Sequence, residues 1–132
     1  TRALGSVTRE VGHDATELMS LAADGLQRDE MLHYTWTTSS GHEGSDTFAL
    51  RPYKDYDLVA PKLTHQVEGN QITIKAEALA LFVTVEADVA GRCDQNAFTL
   101  LPGEARVVTF TPADPNAQPN FTLRDLHSAT YA

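Results

Sequence analysis

Cysteine is nearly absent from this 132-residue chain. Cys93 stands alone, so no intramolecular disulfide can form, and cytoplasmic and periplasmic or secreted compartments stay equally open. Basic residues are also scarce: 10 Lys and Arg face 18 Asp and Glu, a formal charge of −8. Sequence-independent nucleic-acid binding needs clustered cations, and here they are scattered, so nucleic acid is not an expected partner. The same deficit argues against an anionic membrane surface. No long apolar run occurs. The longest, Ala78 to Val85, is broken by Thr84 and has the length of a strand rather than of a membrane-crossing helix. The chain is too short for a (β/α)8 barrel, which needs roughly 250 residues. It opens at Thr1 with neither Met nor a charged-then-apolar leader pattern, as expected of a fragment or a processed product.

What is present is β-like. A hydrophobic share of 42% can build a real core in one domain or a little more. In Leu32–Thr37, alternation places Leu32, Tyr34 and Trp36 on one face, and Trp36 is expected in the core. A turn-rich run from Ser39 to Ser45 follows, and Phe48 and Leu50 share a face beyond it, so 32–50 predicts a β-hairpin. Pro52 to Pro61 reads as a polar linker. Leu63 and Val67, a Glu68–Gln71 turn, and then Ile72, Ile74 and Ala76 predict a second hairpin; His65 shares the Leu63/Val67 face and is expected to be part-buried. Leu79–Ala87 predicts a central strand, apolar on most of both sides. Phe98–Leu100, Arg106–Thr111 and Phe121–Leu126 complete the set. Short strands separated by frequent turns indicate an antiparallel β-sandwich. Near the N-terminus, Asp14 to Glu17 can start a helix ended by Gly25. The preferred alternative is strands at Leu4–Val11 and Glu17–Ser20 with a helical turn around Leu21–Leu26, because the neighbouring segments are β.

Residues that could carry chemistry are few. Asp55 and Asp57, at i and i+2, are the best-placed local acidic pair, but no calcium-loop repeat accompanies them, and a solvated turn is the expected role. No two of the five histidines have the close spacing of a metal pair. Cys93 has Arg92 beside it, which could lower its pKa, yet it lacks a helix N-terminus and a His partner. Neither a metal nor a cofactor is expected. Tyr53 and Tyr56, on the linker, read as an exposed aromatic pair able to grip a glycan or to anchor one domain on another. Asn120-Phe121-Thr122 fits the N-glycosylation pattern, a short match that arises often by chance.

Two stretches carry a family resemblance. Phe48-Ala49-Leu50-Arg51-Pro52-Tyr53-Lys54-Asp55-Tyr56-Asp57-Leu58 resembles the linker before the last domain of family 2 glycoside hydrolases of the β-mannosidase type. Asp94-Gln95-Asn96-Ala97-Phe98-Thr99-Leu100-Leu101-Pro102-Gly103-Glu104, followed by Val107, Thr109, Phe110 and Pro112, is similar to that domain's "asparagine, aromatic, phenylalanine, x, leucine, leucine, proline, glycine, glutamate" stretch and the strand after it. Ala97 departs from the pattern, standing where the family often has a second aromatic. The similarity covers about Phe48 to Pro112, and Thr1 to Thr47 more weakly as the tail of a preceding sandwich domain. It implies that residues 1–51 close a partial β-sandwich and that 52–132 form the C-terminal immunoglobulin-like domain. In that family the catalytic carboxylates lie on a (β/α)8 barrel; no residue here matches them, so no catalytic residue is carried over. The resemblance implies a non-catalytic accessory region, with the catalytic barrel and other β domains of a parent chain as partners. A carbohydrate-binding module that holds oligosaccharide, or a free-standing interaction domain, is the alternative. In the Leu101–Glu104 turn, Glu104 is expected to reach back to exposed backbone donors.

Overall fold

Residues 1–131 are described in a computed structural model, Ala23 through its backbone alone; the last residue of the expected C-terminal domain, Ala132, lies outside them. Strands β1 (Met31–Thr37) and β2 (Glu43–Ala49) form a two-stranded antiparallel sheet. Seven further strands follow: β3 (Thr64–Glu68), β4 (Gln71–Lys75), β5 (Ala80–Ala87), β6 (Gly91–Cys93), β7 (Phe98–Leu100), β8 (Ala105–Pro112) and β9 (Phe121–Arg124), with a short helix α1 (Leu126–Tyr131) at the end. They pair as a four-stranded sheet in the order β3-β4-β8-β6 and a three-stranded sheet in the order β7-β5-β9, every pairing antiparallel.

The core lies between these two sheets. Ile72 and Ile74 of β4 and Val108 and Phe110 of β8 meet Ala80, Val83 and Val85 of β5 and Phe98 and Leu100 of β7 in one buried cluster. Pairing fixes which residues point inward: Ile72 faces Val108 across the β4/β8 ladder while Thr73 faces Val107, so Val108 is fully buried and Val107 is 45% exposed. A one-residue slip would exchange these faces, which is why burial of one face locks the register. Phe110 and Phe121 close the cluster edge to face, 5.3 Å between centroids.

Strand β5 does not keep a simple alternation. Ala80 pairs with Leu100 but Val83 with Phe98; two residues, Leu81 and Phe82, therefore oppose one, Thr99, the count of a β-bulge. Phe82 sits in the bulge with φ +53°, a left-handed conformation that an L-residue with a bulky side chain rarely adopts. The extra residue restores Val83 and Val85 to the core side and turns Phe82 out, 42% exposed.

Several expectations are corrected. Among the described residues 1–22, neither Leu4–Val11 nor Glu17–Ser20 forms a strand; only a 3-10 turn, Ala23–Gly25, matches the expected helical turn. Both segments are irregular chain without a ladder partner, and alternating apolar residues do not make a strand without one. Pro52–Pro61 is not a featureless linker: Tyr53–Asp55 is a 3-10 turn, and Pro61 accepts hydrogen bonds from Glu77 and Ala78. His65 is exposed rather than part-buried, because β3 is an edge strand whose residues are all exposed. The last strand stops at Arg124; buried Asp125 then caps α1, accepting from the backbone N–H groups of His127 and Ser128. Trp36 is 46% exposed, not core.

The N-terminal segment is tied down at one point. Arg2 forks onto Glu30, Nε to Oε1 at 2.9 Å and Nη2 to Oε2 at 2.7 Å, and also donates to the Gly25 carbonyl. The Arg2 hydrogen bonds, helped by the Gln27 N–H, pull the Glu30 carboxyl from 4.5 down to about 2. A carboxylate depressed in the folded state contributes stability above its unfolded pKa and loses it as pH falls through the folded one. The contribution of this clamp is thus present above pH 4.5 and disappears between about 4.5 and about 2; at the surface it also weakens with salt. An NMR titration of the Glu30 carboxyl should give a midpoint near 2, and Arg2→Ala should move it back toward 4.5. A midpoint unchanged by Arg2→Ala would mean the fork does not form.

Candidate functional site

Between the β1–β2 hairpin and the sandwich lies a cleft of about 390 Å³, small for a ligand pocket. One wall is Gly44–Thr47 of β2, the other Gln95–Thr99 before and along β7, and Tyr53, Phe82 and Arg106 line it between them. Thr47 and Thr99 bridge the walls, hydroxyl to hydroxyl, at 3.1 Å, and His33 Nδ1 pairs with the Thr47 hydroxyl at 2.9 Å. Tyr53 stands perpendicular to Phe82, centroids 5.2 Å apart. The Arg106 guanidinium lies 4.8 Å over the Phe98 ring and donates to Gln95 Oε1 at 3.4 Å. Asp46 accepts from the Thr47 N–H at 2.7 Å and from the Tyr34 hydroxyl at 3.3 Å.

The two linker tyrosines therefore part company. Tyr53 is half-buried and lines the cleft. Tyr56 is 4% exposed, so no glycan can stack on it as the chain stands; its hydroxyl reaches the Glu30 carbonyl at 3.4 Å, joining the linker to the segment before β1. Phe82, Arg106, Gln95 and Asp46 were not visible as cleft residues in the sequence. Phe82 reaches the cleft only through the bulge, which no glycine or proline announces.

The remaining candidates stand apart. Asp55 ends the 3-10 turn and Asp57 follows it in irregular chain; among the described residues no three of His, Cys, Asp and Glu come together. Burial and the neighbouring Asp94 push the Cys93 thiol up, the opposite of an activated nucleophile. The amide nitrogen of Asn120 donates to Asp88 Oδ2 at 2.7 Å. Among the described residues no helix is long and apolar enough to cross a membrane.

The Asp94–Glu104 stretch binds backbone. Asp94 Oδ1 accepts from the Thr109 N–H at 2.9 Å, and the Asp94 N–H donates to the Thr109 carbonyl at 2.9 Å. Gln95 Nε2 donates to the Val107 carbonyl at 2.8 Å. Asn96 takes both polar groups of Val85, accepting from its N–H at 2.8 Å and donating to its carbonyl at 3.3 Å, so the side chain continues the pairing of β5 where β7 has not yet begun. Glu104 accepts from the Leu101 N–H at 3.3 Å across the turn, as its position in the sequence predicts, and Gly103 supplies the φ of +80° that a Pro-Gly turn requires.

A family model for the immunoglobulin-fold domain Ig_mannosidase matches residues 55–129. The chain belongs to this family. The Ig_mannosidase match takes in β3 to β9, the whole two-sheet sandwich, together with the Asp94–Glu104 stretch. Similar proteins include β-mannosidase A of Aspergillus flavus and of Aspergillus oryzae, each 35% identical over 108 residues, and β-mannosidase A of Aspergillus niger, 29% identical over 120. These alignments cover 78%, 78% and 84% of the chain but only 11%, 11% and 12% of the relatives. In an Ig_mannosidase domain built this way the polar stretch laces the edge of one sheet to the other: Asp94 and Gln95 hold β8, Asn96 holds β5, and Glu104 closes the turn between β7 and β8.

Proposed function

We propose that this chain is a non-catalytic accessory region of a β-mannosidase-like glycoside hydrolase. It divides near Pro52 into the end of one β-sandwich (1–51) and a C-terminal immunoglobulin-like domain (52–132), and it packs on the catalytic barrel and the other β domains of its parent. The observation that carries this reading is the open face of the hairpin. Leu32 pairs with Phe48, Tyr34 with Asp46 and Trp36 with Gly44, and Tyr34, Trp36, Phe48 and Leu50 are 45%, 46%, 55% and 43% exposed. The indole of Trp36 lies flat on Gly44, where an added Cβ would collide with the ring. A two-stranded sheet is marginal alone, and a contiguous aromatic face is the usual mark of an interaction surface. Leu4, Val7, Val11, Leu18, Met19 and Leu21 of the ladderless N-terminal segments are likewise exposed. A partner with strands of its own would cover both. Relatives eight or nine times longer than the aligned region supply a candidate occupant, the rest of a β-mannosidase chain.

The test uses a complete β-mannosidase carrying this region. Trp36→Ser with Phe48→Ser should lower the midpoint of thermal inactivation by about 5 °C or more and leave KM for an aryl β-mannoside unchanged, while the isolated chain turns over none of it. Unchanged thermal stability, or turnover by the isolated chain, would overturn the proposal.

A further inference from the structure

We infer that the cleft between the hairpin and the sandwich is a subsite for a saccharide, with Tyr53 and Phe82 as the stacking platform and Arg106, Gln95 and the Thr47 hydroxyl as its polar rim. The first ground is backbone strain with a consequence. Among the described residues three non-glycine ones have positive φ, Lys62, Phe82 and Ala97, and two of them, Phe82 and Ala97, line this one cleft. Left-handed backbone is unfavourable for L-residues and persists where its surroundings hold it, commonly at ligand sites. The bulge does more than bend β5: it takes a phenylalanine out of the sandwich and stands it beside Tyr53. A perpendicular pair of rings uses one face of one ring, so a face remains for a third, and the apolar face of a sugar ring fits it.

The second ground is the polar rim. Arg106 is half-buried and, among the described residues, makes no ion pair, in a chain with eight more acidic than basic residues. Phe98 and Gln95 hold its guanidinium in place. Across the cleft Thr47 presents a hydroxyl, held by Thr99 and His33. Donor and acceptor on facing walls suit neighbouring hydroxyls, each of which both donates and accepts. The volume fits one sugar residue or two.

The inference does not depend on packing against a parent enzyme; only the choice of mannoside as first ligand rests on that reading. Amide NMR titration of the chain with β-linked mannotriose and with cellotriose tests it. At a ligand concentration of about 10 mM, against a Kd of about 1 mM, resonances of Ser45–Thr47 and Gln95–Thr99 should move. Tyr53→Ala and Arg106→Ala should each weaken binding about tenfold, and Lys54→Ala, outside the cleft, should not. The decisive variant is Phe82→Gly. It removes the ring yet relieves the positive φ, so binding should be lost while the unfolding midpoint holds or rises. A merely structural Phe82 predicts the reverse. Cleft resonances that move with neither sugar, or affinity unaltered in both Tyr53→Ala and Phe82→Gly, would overturn the inference. Binding of cellotriose alone would uphold the subsite and count against the mannoside reading.

Discussion

Ile72→Ala should lower the unfolding free energy by about 3 kcal/mol, within the range of about 2–5 kcal/mol for truncating a buried isoleucine, and the thermal midpoint by about 10 °C. Ile72 has no exposed surface and sits between both sheets, paired with Val67 on one side and Val108 on the other. Its loss leaves a cavity bounded by two hydrogen-bonded ladders, which cannot collapse without breaking register. Val107→Ala is the matched comparison. It lies one residue from Val108 on the outer face of β8 and is 45% exposed, so its truncation should change stability by less than about 0.5 kcal/mol. Urea unfolding of the two variants, followed by far-ultraviolet circular dichroism, distinguishes them; equal losses would mean that the inward face of the sheet has been misassigned.

Gly91→Ala should cost about 2–3 kcal/mol, at the upper end of overpacking penalties. A Cβ at Gly91 would run into the Phe110 ring and come within 2.6 Å of the Thr111 carbonyl oxygen. The ring belongs to the core cluster and meets Phe121 edge to face. The carbonyl belongs to the β6/β8 ladder, where Gly91 pairs with Pro112 and Arg92 with Thr111. Neither neighbour can yield without loss, because moving the ring opens the sandwich and moving the carbonyl frees a three-residue edge strand. Gly12→Ala, with open space around it, provides the control. If Gly91→Ala unfolds at the same urea concentration as Gly12→Ala and leaves the ring-current shifts of Phe121 in place, β6 does not pack as described.

Most strands beyond Pro61 could be read from the sequence because β4, β5 and β8 have an inward and an outward face. Ile72, Ile74, Val108 and Phe110 fall on the buried side that alternation assigns them, and the Leu101–Glu104 turn forms by the chemistry its residues carry. Alternation states which residues share a face; it does not state what covers that face. Leu32, Tyr34 and Trp36 do lie together, yet among the described residues no second layer buries that face, and Trp36 is half exposed. The same limit applies to Leu4–Val11, which has a strand's pattern and no ladder. Strand β6 escaped notice because Gly-Arg-Cys carries no alternation at all. The cleft was the least legible part. Its residues come from β2, the Tyr53 turn, β5, the loop before β7, and β8, and only the bulge and the hairpin's position bring them together.

Trp36 is the sole tryptophan, and it stands on the hairpin over Gly44 rather than inside the sandwich. The chain's intrinsic fluorescence above the tyrosine band therefore monitors only the hairpin. An unfolding curve recorded on that signal would describe fraying of β1 from β2 while the seven-stranded body was still intact, and the two transitions would separate when a second probe was used. The same geometry makes the indole a built-in reporter of docking: a partner covering the hairpin would shift its emission to the blue and shield it from quencher, with no label added.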